Sequence, residues 1–298
     1  MLLNAIVKHV PVFGKFAEES VPILEKLEEV TDSVVVPLLF GVHRFIDEYS
    51  VDSIYEVFSE LRCVRSLSIV LASGGGNVDE AYLLACYLQK TVDGKLTIYV
   101  PRYAKSAATL LACCGDEIVM LPIAELGPID PVLYDERSGK YVPLQSILEL
   151  IDMLASREMP RDLVREILDK LPVIEFGDYK RAVDHNIELA TKILEKRMFK
   201  GNPERAKAVA RHLVSYKQHG AAITVEDAKE VGLKVRLANE KESKLLWKLH
   251  NLWKTYIVLN EYDVKTDEWT PVEFKLGKGI VLTITSLQSF EAALKEQK

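Results

Sequence analysis

Residues 104–114 read AKSAATLLACC, a run of small and apolar side chains that opens on a lysine and a serine. Two chemistries fit that opening. In one, Ser106 caps a buried helix by accepting a hydrogen bond from its first turn, and Lys105 points to solvent. In the other, Ser106 is a nucleophile at a helix mouth, where unpaired backbone N–H groups favour negative charge. Ala104, Ala107 and Ala108 leave room there for a substrate backbone. Lys105 is a poor base for its own neighbour, because adjacent helical side chains do not face each other. A second stretch, SGGG at 73–76, reads as a tight turn or as an oxyanion site, since glycine lets a backbone N–H meet a ligand with no side chain in the way. It is a poor phosphate cradle: Asp79 stands where GxGxxG needs its last glycine, and no Gly-Lys-Ser/Thr follows. The third candidate is His219, in QHGAAITVEDAKEVGL, which by itself reads as a surface-loop histidine.

Of the six histidines, His185 and His212 stand in helical runs among charges and read as solvated, while His9, His43 and His250 have no chemical company. No pair has HExxH-like spacing, so metal catalysis is not expected. The four cysteines, Cys63, Cys86, Cys113 and Cys114, form no CxxC pair and read as free thiols in a reducing compartment. No cofactor is expected.

The elements that carry these residues follow from hydropathy periods. A helix is predicted over 51–66, with Ile54, Val57, Phe58 and Leu61 on one face. LSIVLAS (67–73) is a short β-branched apolar run, as in a strand covered on both faces. Asn77, with Glu80 three residues on, opens a helix. LTIYVPR (96–102) is a second buried strand, 106–114 a helix and EIVMLP (117–122) a third strand. Alternating strands and helices with short connections mean right-handed crossovers and a parallel sheet. ELGPIDP (125–131) is a rigid loop, and LYDERSGKYVP a hairpin turning at Ser138-Gly139. Helices are predicted at 144–155, 160–171, 178–199 and 203–216. A short one in ITVEDAKEVGL carries a Thr224/Asp227 cap signal and ends at Gly232. Residues 240–257 form an amphipathic helix carrying Leu245, Leu246, Leu249, Leu252 and Trp253, more apolar than a free surface needs. Strands at DEWTPVEFKL and KGIVLTITS and a last short helix follow.

The totals bound the class. The 298 residues are 48% hydrophobic and 28% charged, a globular composition with a substantial core. A net charge of −6 argues against nucleic-acid binding. No stretch approaches the roughly 18 apolar residues of a membrane span, and the N-terminus lacks a signal-peptide core, so a cytoplasmic location is expected. The division expected is an N-terminal segment 1–50, a core 51–240 and a helix plus small strand-rich extension over 241–298.

Taken in order and spacing, SGGGNVDEAYLLACYLQK, VPRYAKSAATLLACCGDEIVMLPIAELGPIDP and HGAAITVEDAKEVGL resemble the Clp-fold serine peptidases, and among them the serine dehydrogenase proteinase family. The resemblance covers about residues 50 to 235. It implies an α/β Clp/crotonase-like fold, with a mainly parallel sheet flanked by helices and a small C-terminal α+β extension. It implies Ser106 as nucleophile, with oxyanion N–H groups from the Gly75-Gly76 pair and from Ala107. Where Clp peptidases carry a catalytic histidine in the loop after the third strand, this chain has Ile129. His219 falls near the place of the Clp triad aspartate, and the serine dehydrogenase proteinase family has a similar His-Gly there. His219 is therefore the favoured base, with Asp130 to orient it. Signal peptide peptidase A, of the same fold, uses a Ser–Lys pair, which makes Lys180 in GDYKRA (177–182) the alternative base.

The resemblance thus implies an intracellular serine endopeptidase acting on peptides or unfolded proteins through an acyl-enzyme. It also implies a homo-oligomer, with an ATPase partner as an open option. Two other readings stay open: a crotonase-type acyl-CoA enzyme, whose thioester oxyanion uses the same paired N–H groups, and a non-catalytic assembly module.

Overall fold

The computed structural model describes residues 10–61, 64–135, 140–156, 160–169, 176–264 and 268–295. Its centre is a seven-stranded sheet. In chain order its strands are β1 (Val34–Phe40), β2 (Val64–Ala72), β3 (Val92–Val100), β5 (Glu117–Met120), β9 (Val235–Leu237), β10 (Trp269–Leu276) and β11 (Gly279–Ser286). They are arranged β10-β11-β1-β2-β3-β5-β9, and every neighbouring pair is parallel except β10–β11. The continuous apolar runs of β1 and β2 belong to the middle of this sheet, where helices cover both faces. Leu67, Ile69, Val70 and Leu71 are fully buried.

Helix α1 (Pro11–Thr31) precedes β1, α2 (Glu48–Ser59) precedes β2 and α3 (Val78–Thr91) connects β2 to β3. The Asn77 side chain accepts from the N–H groups of Asp79 and Glu80, as its position before α3 predicts. The helix predicted over 51–66 stops at Ser59, and Val64 already begins β2. Two-residue strands β4 (Tyr103–Ala104) and β6 (Glu125–Leu126) pair above the main sheet, flanking the short helix α4 (Ala107–Ala112). The hairpin strands β7 (Val132–Asp135) and β8 (Lys140–Pro143) are antiparallel, and its predicted Ser138-Gly139 turn lies outside the described residues. Helices α5 (Leu144–Ser156), α6 (Arg161–Asp169), α7 (Phe176–Lys196), α8 (Pro203–Val214) and α9 (Val225–Val231) then lead to the edge strand β9. Thr224 and Asp227 cap α9 reciprocally, and Gly232 ends it with φ 100°.

Strand β1, which no periodicity argument had singled out, lies between β2 and β11. One sheet therefore draws strands from the segment before residue 50, from the middle of the chain and from its last 40 described positions. Pro37 has no N–H to give to a ladder. The chain meets it with Gly279, where a Cβ would fall 2.0 Å from the Pro37 carbonyl oxygen. The late amphipathic helix, α10, runs Glu240–Trp253, and its main chain widens to one π-helical turn over Lys254–Val258 before α11 (Leu259–Asp263). Helix α12 (Leu287–Lys295) closes the chain. The α10 stripe is spent on the chain's own core: Leu246, Leu249 and Trp253 are buried, and Leu245 and Leu252 half-buried. Among the described residues no helix is long and apolar enough to cross a membrane.

His250, also on α10, is buried between Trp247 and Trp253, with ring centroids 5.3 and 5.6 Å away. Burial, reinforced by the charges of Arg102 and Lys254, pushes its pKa down to about 4. An unfolded chain protonates the same ring near pH 6.5, as ordinary histidines do. Between those values the unfolded state binds the extra proton, so stability falls as pH falls through this window. His250→Phe should remove roughly 2–3 kcal/mol of the stability loss between pH 7 and 4.5, measured by urea unfolding at the two pH values.

Candidate active site

The site begins with a backbone conformation. Ser106 has φ 51° and ψ −122°, a region that residues with a Cβ avoid and that costs on the order of 1–3 kcal/mol. Asp32 is the one other non-glycine residue with positive φ among the described residues. Hydrogen bonds on both sides over-determine the Ser106 turn. Before it, Lys105 N–H donates to the Ser73 carbonyl at 3.1 Å, and Ser73 N–H to the Tyr103 carbonyl at 3.3 Å. After it, Thr109 N–H donates to the Ser106 carbonyl at 2.8 Å. The buried Thr109 hydroxyl donates to the Ala104 carbonyl at 2.7 Å and accepts from Gly127 N–H at 3.0 Å. Ser106 makes no capping bond with its side chain, unlike Asn77 or Thr224, so the capping reading of Ser106 fails. Its hydroxyl remains available for chemistry.

The glycine turn lies against this serine. A Cβ at Gly75 would fall 2.9 Å from Ser106 Cβ, 2.7 Å from the Lys105 carbonyl oxygen and 3.3 Å from Ala107 N. Gly75 and Gly76 have φ of 107° and 144°, which side-chain-bearing residues rarely adopt. The Gly75 N–H is occupied, donating to the buried Ser73 hydroxyl at 3.1 Å. On one edge the diglycine is paired to Ile46: Ile46 N–H donates to the Gly75 carbonyl at 2.8 Å, and Asn77 N–H to the Ile46 carbonyl at 2.7 Å. Strand geometry then turns the Gly76 N–H to the opposite edge. Ala107 N–H is the first of α4 and has no acceptor within that helix.

The histidine and the aspartate meet. His219 Nδ1 lies 2.9 Å from Asp130 Oδ1; the aspartate is buried and the histidine side chain 30% exposed. A carboxylate only accepts, so Nδ1 carries the proton of the neutral ring and Nε2 is left with a lone pair. The second oxygen of Asp130 is buried without a partner among the described residues. Ile129, where Clp peptidases have their histidine, is core: it is buried, its N–H donates to the Leu213 carbonyl and its carbonyl accepts from Asn186. Both bonds hold the backbone that presents Asp130.

Lys105 also departs from the capping reading. Its side chain does not point to solvent; Nζ donates to the Ala221 carbonyl at 3.1 Å and pairs with Glu125 at 3.1 Å. It thereby ties the strand entering Ser106 to the segment that follows His219, alongside the Leu126–Ile223 bridge. Lys180, by contrast, is exposed on α7. His185, on the same helix, is exposed as expected but bonds Asp79 at 2.7 Å. Among the described residues no group of His, Cys, Asp and Glu is arranged to hold a metal ion. Cys113 and Cys114 are free and buried, and burial pushes the Cys113 thiol up to about 12; Cys63 lies outside the described residues. The roles of Ser73, Asn186 and Lys105 had no signal in the sequence, because each acts through partners far along the chain.

The family model of ClpP-like, SDH-type serine proteinases matches residues 32–267, most of the chain. The chain belongs to this family. A member of the proteome of Methanocaldococcus jannaschii, the uncharacterized protein MJ0137, is 28% identical over 242 residues, covering 76% of this chain and 77% of that protein. A second from the same organism, MJ1495, is 26% identical over 198 residues, 65% of this chain and 60% of that protein. Among solved structures the chain aligns with a lysine-to-alanine variant of the 1510-N membrane-bound stomatin-specific protease in complex with a substrate peptide. That alignment has a TM-score of 0.43 and 19% identity, over 70% of this chain and 76% of the other. A serine-to-alanine variant of the same protease aligns with a TM-score of 0.44 and 17% identity, over 73% and 83%.

The His219–Asp130 bond has a direct spectroscopic signature. In ¹⁵N NMR the neutral His219 ring should carry its proton on Nδ1, and Asp130→Ala should shift the population toward the Nε2–H tautomer that a free histidine side chain favours. An unchanged tautomer ratio in that variant would show that Asp130 does not orient the ring.

Proposed function

We propose that this protein is a serine endopeptidase acting on peptides or unfolded chains through an acyl-enzyme. The observation that carries the reading is Ser106 held at positive φ on a strand-to-helix turn, with the diglycine packed over it and its hydroxyl free of capping duty. A strained serine on a sharp strand-to-helix turn is how hydrolases present a nucleophile, and Ser106, half-buried, stands on such a turn.

In the proposed reaction His219 Nε2 takes the Ser106 hydroxyl proton as Oγ attacks the scissile carbonyl carbon. The developing oxyanion is met by the N–H groups of Gly76 and Ala107. Gly76 is preferred over Gly75 because the Gly75 N–H is already satisfied by Ser73. The imidazolium then gives its proton to the leaving amine, and water, activated by the same ring, hydrolyses the ester. Asp130 stabilises the charged ring, and its oxygen without a partner leaves more of the carboxylate's charge to do so. His219 is preferred to Lys180 because a lysine base needs burial, which exposed Lys180 lacks. Lys105 is committed to Ala221 and Glu125 and is not the base.

An intracellular setting is part of the proposal, and free buried Cys113 and Cys114 support it. So is self-association. The α10 stripe is internal, but Tyr49 and Tyr55 on α2 and Leu83 on neighbouring α3 are exposed and offer an apolar face for it. Light scattering at micromolar concentration should give a mass above that of one chain; a single-chain mass would refute assembly.

A fluorophosphonate should modify Ser106, and Ser106→Ala should abolish both labelling and peptide cleavage. Full cleavage activity in Ser106→Ala would sink the mechanism. His219→Ala should lower the rate by about 10² to 10⁴, the usual contribution of a general base, while Lys180→Ala stays near wild type. The reverse ranking would transfer the base to Lys180.

A further inference from the structure

We propose that Glu261, far from Ser106 in the chain, is a positioning residue for the oxyanion diglycine; this rests on the peptidase reading above. Glu261 stands on α11, just after the π-helical turn, and is 1% exposed. One carboxylate oxygen accepts from the backbone N–H of Val42 at 2.6 Å and of His43 at 3.2 Å. The other accepts from the buried Thr283 hydroxyl of β11 at 2.6 Å. The carboxylate reaches the backbone because residue 41 is glycine: a Cβ there would fall 1.6 Å from Glu261 Oε1. A buried carboxylate satisfied by backbone donors is a stiff anchor, since freeing those donors would leave them unpaired away from water.

The loop it anchors leads directly to the glycine turn. Gly41 N–H is held by the Leu282 carbonyl at 2.7 Å. Arg44, also buried, donates to the carbonyls of Val272 and Thr283 at 3.4 Å each and pairs with Glu273. Ile46, two residues on and 1% exposed, makes the two bonds that fix the Gly75 carbonyl and Asn77 N–H. The strand-rich tail is thus the outer wall of a relay: Glu261 and Arg44 hold residues 41–44, these hold Ile46, and Ile46 holds the edge of the diglycine opposite the Gly76 N–H. Without the anchor, Ile46 keeps its sequence but not its register against Gly75.

The test compares Glu261→Gln, which keeps shape and loses charge, with Lys278→Ala, which frees another part of the same β10–β11 hairpin from Glu28. Hydrogen exchange across residues 73–77 should quicken in Glu261→Gln and stay at the wild-type rate in Lys278→Ala. The second-order rate of fluorophosphonate labelling per folded molecule should fall about tenfold to a hundredfold in Glu261→Gln, with peptide KM little changed, because misplacement of about 1 Å suffices for such losses. A folded Glu261→Gln with wild-type exchange at 73–77 and wild-type labelling overturns the proposal. If Glu261→Gln does not fold, Arg44→Gln carries the same expectation and the same overturning result. If wild-type protein is not labelled while exchange still quickens in the variant, the peptidase reading fails and the relay to the glycine turn stands.

Discussion

Everything in the site depends on two backbones meeting with no side chain between them. Gly75 lies against Lys105, Ser106 and Ala107 so closely that any Cβ would collide with the Lys105 carbonyl and Ser106 Cβ. That approach puts the diglycine beside a serine whose own φ of 51° is unfavourable. The strain persists because the surrounding bonds leave no relaxed alternative. Rotating Ser106 into an ordinary helical or extended conformation would break the Lys105–Ser73 and Thr109–Ser106 backbone bonds, and with them the Thr109 hydroxyl's hold on Gly127. A structural helix cap needs none of this: Asn77 and Thr224 cap their helices from extended backbone.

The parallel sheet makes the meeting possible. Because β2 and β3 run the same way in register, the segments leaving their C-terminal ends, SGGG and the Tyr103–Ser106 turn, emerge side by side and pair once more at Ser73–Ala104. The alternation of apolar strands and helices was legible in the sequence for this reason: buried parallel strands are short continuous apolar runs, and the helices after Asn77 and Thr224 announce themselves with caps. Strand β1 was not legible. VVVPLLF carries a proline in its middle, and proline ordinarily argues against a central strand. Only Gly279, some 240 residues later, makes room for it, and no local pattern connects the two.

The site was legible in proportion to how local its determinants are. Ser106, Gly75, Gly76 and Ala107 stand in two short motifs whose spacing reports the strand-turn-helix geometry itself. Asp130 and His219 are 89 residues apart, and their bond was anticipated only through the family resemblance. The residues that make those motifs rigid were silent: Lys105 reaching Ala221, Asn186 holding Ile129, Glu261 holding Val42 and His43. In each case a common side chain is committed by a partner on another element. The α10 stripe misled for a related reason. A generous apolar face is the same pattern whether it meets a second copy or the chain's own core, and here it meets the core.

The departure from the Clp arrangement looks smaller once the pair is seen in space. By resemblance, Clp peptidases place a histidine in the loop after the third strand and an aspartate near position 219; here the first loop offers Asp130 and the second His219. In the proposed mechanism the chemistry asks for a buried carboxylate bonded to one ring nitrogen, and Asp130 and His219 stand in that relation at 2.9 Å. The exchange asks different things of the two backbones. The loop that carries the aspartate is dry: Ile129 and Asp130 are both buried. The loop that now carries the histidine must hold a ring that is 30% exposed, and it is tied down on its far side by Lys105 and by the bridge from Leu126 to Ile223. In the proposed site Ile129 and His219 belong together: the loop whose Ile129 enters the core is the one that buries the carboxylate bonded to His219.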